Sequence, residues 1–276
     1  MRSQAGNACL TTSNGSFEFM ARRGRRDSYS IGGEEVREES GWRYPLIIFV
    51  ATLLLSAFVL VYYFAPTPEE IVGEVPRPSV SEESVVLTVG GIAFDVPANH
   101  TVYPRDRRPG PRERLALYAA WPRMDGYTTS RRNDFIENRP NSRRIDVIIE
   151  TNNTPFDEGQ RFRILYSPHV TEAGGVPFEH GLTKYEFANT SRVGPAIGYQ
   201  DRVMYVGQAP GGEEAIIFCD QHPDEELIPP ECSRYYDINE EVWVRYFFKE
   251  PFLAEWRRID AAVHEFVDKL RLNGRS

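Results

Sequence analysis

The spacing of apolar positions changes twice along this chain, and each regime predicts a different element. From Tyr44 to Ala65 the apolar positions have no period: Leu, Ile, Val, Phe and Ala dominate, and no side chain is charged. These 22 residues rise about 33 Å as a helix, enough to cross a bilayer core. Trp42 and Tyr44 at one end and Tyr62 and Tyr63 at the other are the interfacial anchors such a span calls for. Pro45 falls in the first turn, where its missing N–H is harmless, and the hydroxyls of Thr52 and Ser56 can bond to preceding carbonyls.

From residue 84 onward the period is two. Val85–Val89 and Ile92–Val96 flank Gly90-Gly91 and predict a hairpin. The runs 144–150, 161–166, 184–187, 202–206 and 215–219 read as further strands, and 115–121 as a strand or short helix. Residues 235–238 and 242–248 suggest a last hairpin around Asn239-Glu240. Beyond Pro251 the period becomes three to four. Phe252, Trp256, Ile259, Val263, Phe266, Val267 and Leu270 form one stripe of an amphipathic helix. The expected fold is α+β: a single transmembrane helix, then a strand-rich antiparallel exterior domain with the C-terminal amphipathic helix packed on its sheet.

Charge sets the expected direction of the span. Arg22, Arg23, Arg25, Arg26, Arg37 and Arg43 precede it, whereas Glu69, Glu70 and Glu74 follow before the first basic residue, Arg77. That bias predicts a cytoplasmic N-terminus and an exterior C-terminal domain. The run is long for a signal-peptide core and starts late, so an uncleaved signal-anchor is expected. Of 32 basic residues only three are lysine, a bias of GC-rich genomes, so the expected location is a bacterial inner membrane with a periplasmic exterior. Four stretches result: a disordered tail over 1–43, the span over 44–65, a Pro/Glu-rich stalk over 66–83 whose prolines should prevent helix and sheet, and a periplasmic domain over 84–276.

Cys219 and Cys232 fall in the exterior part and Cys9 in the tail, which predicts a structural disulfide between the first two. The acidic loop between them offers Asp220, Asp224 and Glu225 as a weak calcium candidate, but it lacks ordered ligand alternation and a turn glycine, so a solvated loop is expected. The five histidines have no zinc-ligand spacing, and His264 is expected at the edge of the helix stripe. There is no G-x-S-x-G, phosphate loop or dinucleotide fingerprint, so no catalytic residue and no cofactor is expected.

The segment from His100 to Arg144 interleaves arginines with aromatic residues, the types enriched in interface hot spots. Within it Trp121, Arg123, Tyr127, Arg131 and Arg132 are the candidate interface. The net charge of −8 argues against a nucleic-acid partner. The expected partners are the lipid bilayer, through 44–65, and a membrane or periplasmic protein, with no oligomeric state specified. The function expected is that of a bitopic accessory or scaffold protein without catalytic activity. A membrane-anchored hydrolase with a dispersed acid/His site and a ligand-binding sensor are the alternatives.

Overall fold

The computed structural model describes residues 41–188, 199, 201–221 and 229–272. The tail to residue 40, Asn189, His222, Asp224 and Glu225 lie outside them. The chain divides into two units at Ala65/Pro66. The first contains α1 (Arg43–Phe64), 22 residues long, with a mean hydropathy of 2.5 over its most apolar window. It is long and apolar enough to cross a membrane. No residue of it is buried in the protein, and Trp42, Tyr44, Tyr62 and Tyr63 are all exposed. Thr52 donates its hydroxyl to the Ile48 carbonyl at 2.8 Å, which removes a bare polar group from the span. The helix stops at Ala65, which turns extended because a proline follows it.

The second unit opens with a correction. The proline density over 66–83 does not prevent helix: Pro68–Val72 forms a short helix, α2. Its Thr67 and Glu70 make a reciprocal capping box, and Pro68 occupies the first position, where no N–H is needed. The chain after Gly73 does not stand free of the domain. The Gly73 carbonyl accepts from Arg105 N at 3.2 Å, Arg77 N donates to the Val102 carbonyl at 3.1 Å, and Glu74 pairs with Arg105 at 2.7 Å.

Strands β1 (Ser84–Val89) and β2 (Ile92–Pro97) form the hairpin, and β3 (Gly110–Arg112) runs parallel to β1. Gly90 and Gly91 both have positive φ, as this two-residue turn requires, and a Cβ on Gly90 would also collide with Val242. The run 115–121, whose residues fit a strand or a short helix, is a strand up to Ala120, β4 (Arg114–Ala120). Two helices follow, α3 (Arg132–Ile136) and, after β5 (Arg144–Thr151), α4 (Glu158–Arg161). The remaining strands are β6 (Val176–Phe178), β7 (Leu182–Glu186), β8 (Arg202–Gln208), β9 (Glu214–Asp220), β10 (Glu231–Asp237) and β11 (Val242–Lys249). The large sheet has the order β4-β5-β11-β10-β9-β8-β7-β6, antiparallel throughout.

Strand alternation gives this sheet two faces. One carries Leu117, Val147, Val244, Tyr246, Ile217 and Val203, together with the hairpin residues Leu87 and Phe94 and the stripe of α5 (Trp256–Leu270), in one buried cluster. Here the period-3.6 stripe meets period-2 strands, and both lose water together. On this face Cys232 stands opposite Cys219 in register, and the two are bonded. The bond closes the loop between β9 and β10.

The run 161–166 is not a strand, as expected from its alternation, but a turn of π-helix continuing α4. Asp157 and Gln160 form a capping box that starts the helix, and Phe162 and Tyr166, four apart, then face the second side of the sheet beside Met204, Ile216 and Phe218. The same apolar residues fit both periods, and the cap decides between them.

Candidate binding face and the buried charge centre

The structure divides the five candidate interface residues. Trp121 and Tyr127 are interior side chains, 5% and 6% exposed, so they are not surface anchors. Trp121 follows β4 on the face of Leu117 and Ala119, and its ring meets Phe252. Tyr127 packs edge-on against Phe135 of α3. Arg123 and Arg131 both bond to Asp125 Oδ2, at 2.7 and 3.0 Å. Arg132 is exposed. Other arginines of the wider segment are paired as well: Arg112 reaches Asp106 at 3.0 Å and Arg144 reaches Asp146 at 2.9 Å. Asp106 is fully buried, and that burial raises its carboxyl above the usual range despite Arg112.

The surface that does remain half-open is the second face of the sheet. Its residues follow from register. One row runs Tyr118, Asp146, Phe247, Ser233; the next runs Ala116, Ile148, Arg245, Tyr235; the third runs Arg114, Glu150, Trp243, Asp237. At the β4 end the face deepens into a groove of about 580 Å³, walled by Arg77, Tyr103, Ile136 and Tyr118 over a floor that includes Ala116 and Ile148. Burial pushes the Tyr118 phenol up to about 12, so its hydroxyl keeps its proton at any ordinary pH. At the other end α4 and its π-turn cover the face. Between these ends Ile148, Trp243, Arg245, Phe247 and Tyr235 are only partly buried.

A second feature, absent from the sequence expectations, is a charge centre inside the domain. β9 and β10 pair only from Cys219/Cys232 to Ile217/Arg234 and then separate. Glu158 of α4 accepts at that opening from Ile216 N at 3.1 Å and from Arg234 Nε at 3.5 Å. Arg234, fully buried, donates its Nη1 to Asp260 of α5, and Tyr246 donates to the same carboxylate oxygen at 2.9 Å. One guanidinium thus joins α4 to α5 past the sheet. Burial raises the Glu158 carboxyl to about 7, the nearby Arg234 opposing it. For Arg234, burial works against the charge, but Tyr246, Glu158 and Asp260 more than offset it and the pKa is raised.

His264 is more than a boundary residue. Its ring stacks on Tyr236 with centroids 3.7 Å apart, and Nε2 lies 3.6 Å from Asp260. Burial lowers its pKa, which the Asp260 charge opposes. Glu213, Asp260 and His264 bring three potential metal-ligating atoms within 4.8 Å of one another. The Arg234 guanidinium already occupies Asp260 and lies 3.7 Å from Glu213, so a second cation would be repelled there. This donor set suits an ion-pair centre. Of the calcium candidates, Asp220 is the described member, and it pairs with Arg202 at 2.9 Å. Sequence spacing offered no signal for the Arg234 centre, whose partners lie 26 and 76 residues away.

No family model matches the chain, and no curated protein matches it. Two solved structures are similar to it. One is Smlt3025, an immunity protein of the Stenotrophomonas maltophilia type IV secretion system, with a TM-score of 0.49 and 21% identity over 70% of this chain and 95% of that one. The other is the Neisseria meningitidis iron-regulated outer membrane lipoprotein FrpD, with a TM-score of 0.39 and 13% identity over 70% of this chain and 96% of that one. At these scores neither likeness bears on what this chain does.

Proposed function

We propose that the protein is a bitopic inner-membrane accessory or scaffold protein. Residues 44–65 hold it in the bilayer, its N-terminus is cytoplasmic, and its periplasmic domain binds a membrane complex or envelope component without a reaction of its own. The observation that supports this is the half-open second face with its groove, an apolar floor rimmed by arginine and tyrosine. Such a surface suits recognition, because aromatic and arginine side chains give large contact area with directional donors. The titratable groups that the fold gathers support the same reading, since Asp260 is already engaged by Arg234 and Tyr246 and is 1% exposed.

The test is site-specific photocrosslinking of the full-length protein in its own membrane, with benzoylphenylalanine at Ile136, at Ile148 and, as a control on α5, at exposed Glu265. The expected result is one adduct of defined mass from Ile136 and Ile148, identified as a membrane or envelope protein, and none from Glu265. Equal adducts from all three positions, or none from the groove, would overturn the proposal. Orientation is checked separately by a phosphatase reporter fused after the last residue, expected to be active.

A further inference from the structure

The three rows of the second face across β4, β5, β11 and β10 contain three carboxylates, with four arginines in or beside them, and three of the four are paired. Arg144 pairs with Asp146 at 2.9 Å and Arg114 with Glu150 at 3.6 Å, and Arg161 pairs with Asp237. Arg245 has no ion pair and no hydrogen bond among the described residues, and its Nε is buried without an acceptor. Its guanidinium is held instead by two rings, Phe247 at 4.3 Å and Tyr235 at 5.2 Å from the centroids. Rings of this kind fix the position of the cation but leave its N–H groups unused. Two residues along the same strand and on the same face, the Trp243 indole Nε1 is a second buried donor without an acceptor. Tyr235 touches both neighbours, its ring lying 5.0 Å from that of Trp243.

The Arg245 Nε and Trp243 Nε1 atoms are sealed from solvent, so it is the terminal guanidinium nitrogens of Arg245, neither bonded nor sealed and set beside an aromatic floor, that lack an anionic acceptor. We propose that the Arg245 guanidinium, between the Tyr235 and Phe247 rings, forms a carboxylate-binding site, and that its occupant is an acidic side chain of a partner polypeptide lying across the second face of the sheet. The inference rests on the reading of that face as a binding surface and names the chemistry it selects. The charge pairing within these rows carries it: Asp146, Glu150 and Asp237 each already have their own arginine, which leaves Arg245 without an acceptor in the rows around it. The rings that clamp the guanidinium favour a segment with apolar neighbours around its Glu or Asp.

The experiment uses full-length protein in nanodiscs and a fluorescein-labelled, amidated peptide with two Glu-Phe pairs, compared with the same peptide carrying Gln for Glu. The wild type is expected to bind the Glu peptide about tenfold tighter than the Gln peptide. Arg245→Gln should abolish that preference while leaving the Gln-peptide affinity unchanged, and Trp243→Phe, which keeps a ring and loses only a sealed N–H, should leave it within about twofold. Arg245→Lys keeps the charge without the planar fork and should retain only part of the preference, which separates lost recognition from lost folding. No preference in the wild type, a preference that survives Arg245→Gln, or binding of neither peptide would overturn the carboxylate site. So would equal, Arg245-dependent binding to phosphatidylglycerol vesicles, which would move the acceptor from polypeptide to lipid. The crosslinking pattern from Ile136 and Ile148 is independent of all four outcomes, so a failed carboxylate site leaves the groove reading standing.

Discussion

The two faces of the eight-stranded sheet are built from the same strands and differ in what closes them. The first face meets the hairpin β1–β2 and the full stripe of α5, and its Val147, Val244, Tyr246 and Ile259 are wholly buried. The second face is closed by helical turns at its ends and keeps Trp243, Arg245, Phe247 and Ile148 half-open between them. The difference teaches where stability and recognition reside. An apolar residue on the closed face contributes its full transfer energy, while one on the open face still touches water in the folded state. The Arg234 centre joins the two: it bonds Asp260 on α5 and Glu158 on α4, so a single buried cation ties together the covers of both faces.

The sharpest break comes from that centre. Asp260→Ala leaves Arg234 buried with its closest partner gone, and should cost about 3–5 kcal/mol. The measurement is the urea midpoint of the full-length protein in detergent, and a shift below 1 kcal/mol would show that α5 is not held through this pair. Next in size is Ile259→Ala on the closed face, expected to cost about 2–5 kcal/mol, against less than about 1 kcal/mol for Ile148→Ala on the open one. Equal losses at the two positions would erase the distinction between the faces. Removing the disulfide by Cys219→Ser with Cys232→Ser should cost about 3 kcal/mol for a loop of this length, read as the difference between oxidised wild type and variant.

The smallest effect is in pH. The Glu158 carboxyl, raised from 4.5 to about 7 by burial, binds a proton in the folded state that it has released in the unfolded one between those values. Stability from this group is therefore full below pH 4.5 and is lost as pH rises through 7. Glu158→Gln, which keeps an oxygen for Ile216 N, should flatten the pH dependence of the melting temperature between pH 5 and 7. An unchanged slope would place the titration elsewhere.

Much of the local architecture is legible in the residues. The uncharged run at 44–65, the Gly90-Gly91 turn and the stripe of α5 each follow from a period or a backbone requirement contained in a short window. The run 161–166 shows the limit of that reasoning, because Phe162, Ile164 and Tyr166 alternate like a strand while Phe162 and Tyr166 also fit a helical turn. The candidate interface shows a second limit. Composition marks Trp121 and Tyr127 as interface types, but the face a side chain takes is set by its place after β4 and by the arrival of Phe252 and Phe135 from distant segments.

What this sequence determines alone is therefore period, charge bias and spacing: a bilayer-length apolar helix, alternating strands, an amphipathic last helix, and two cysteines near enough to close one loop. What only the tertiary structure decides is pairing. Strand order and register bring Ile148, Arg245 and Tyr235 into one row from three separate strands, and they place Arg234 between carboxylates from α4 and α5. The physical reason is that period measures the direction of a side chain relative to its own backbone, whereas a site is a set of distances between backbones. Those distances are set when apolar faces close over one another, and which arginine is left without a partner can be counted only after they have closed.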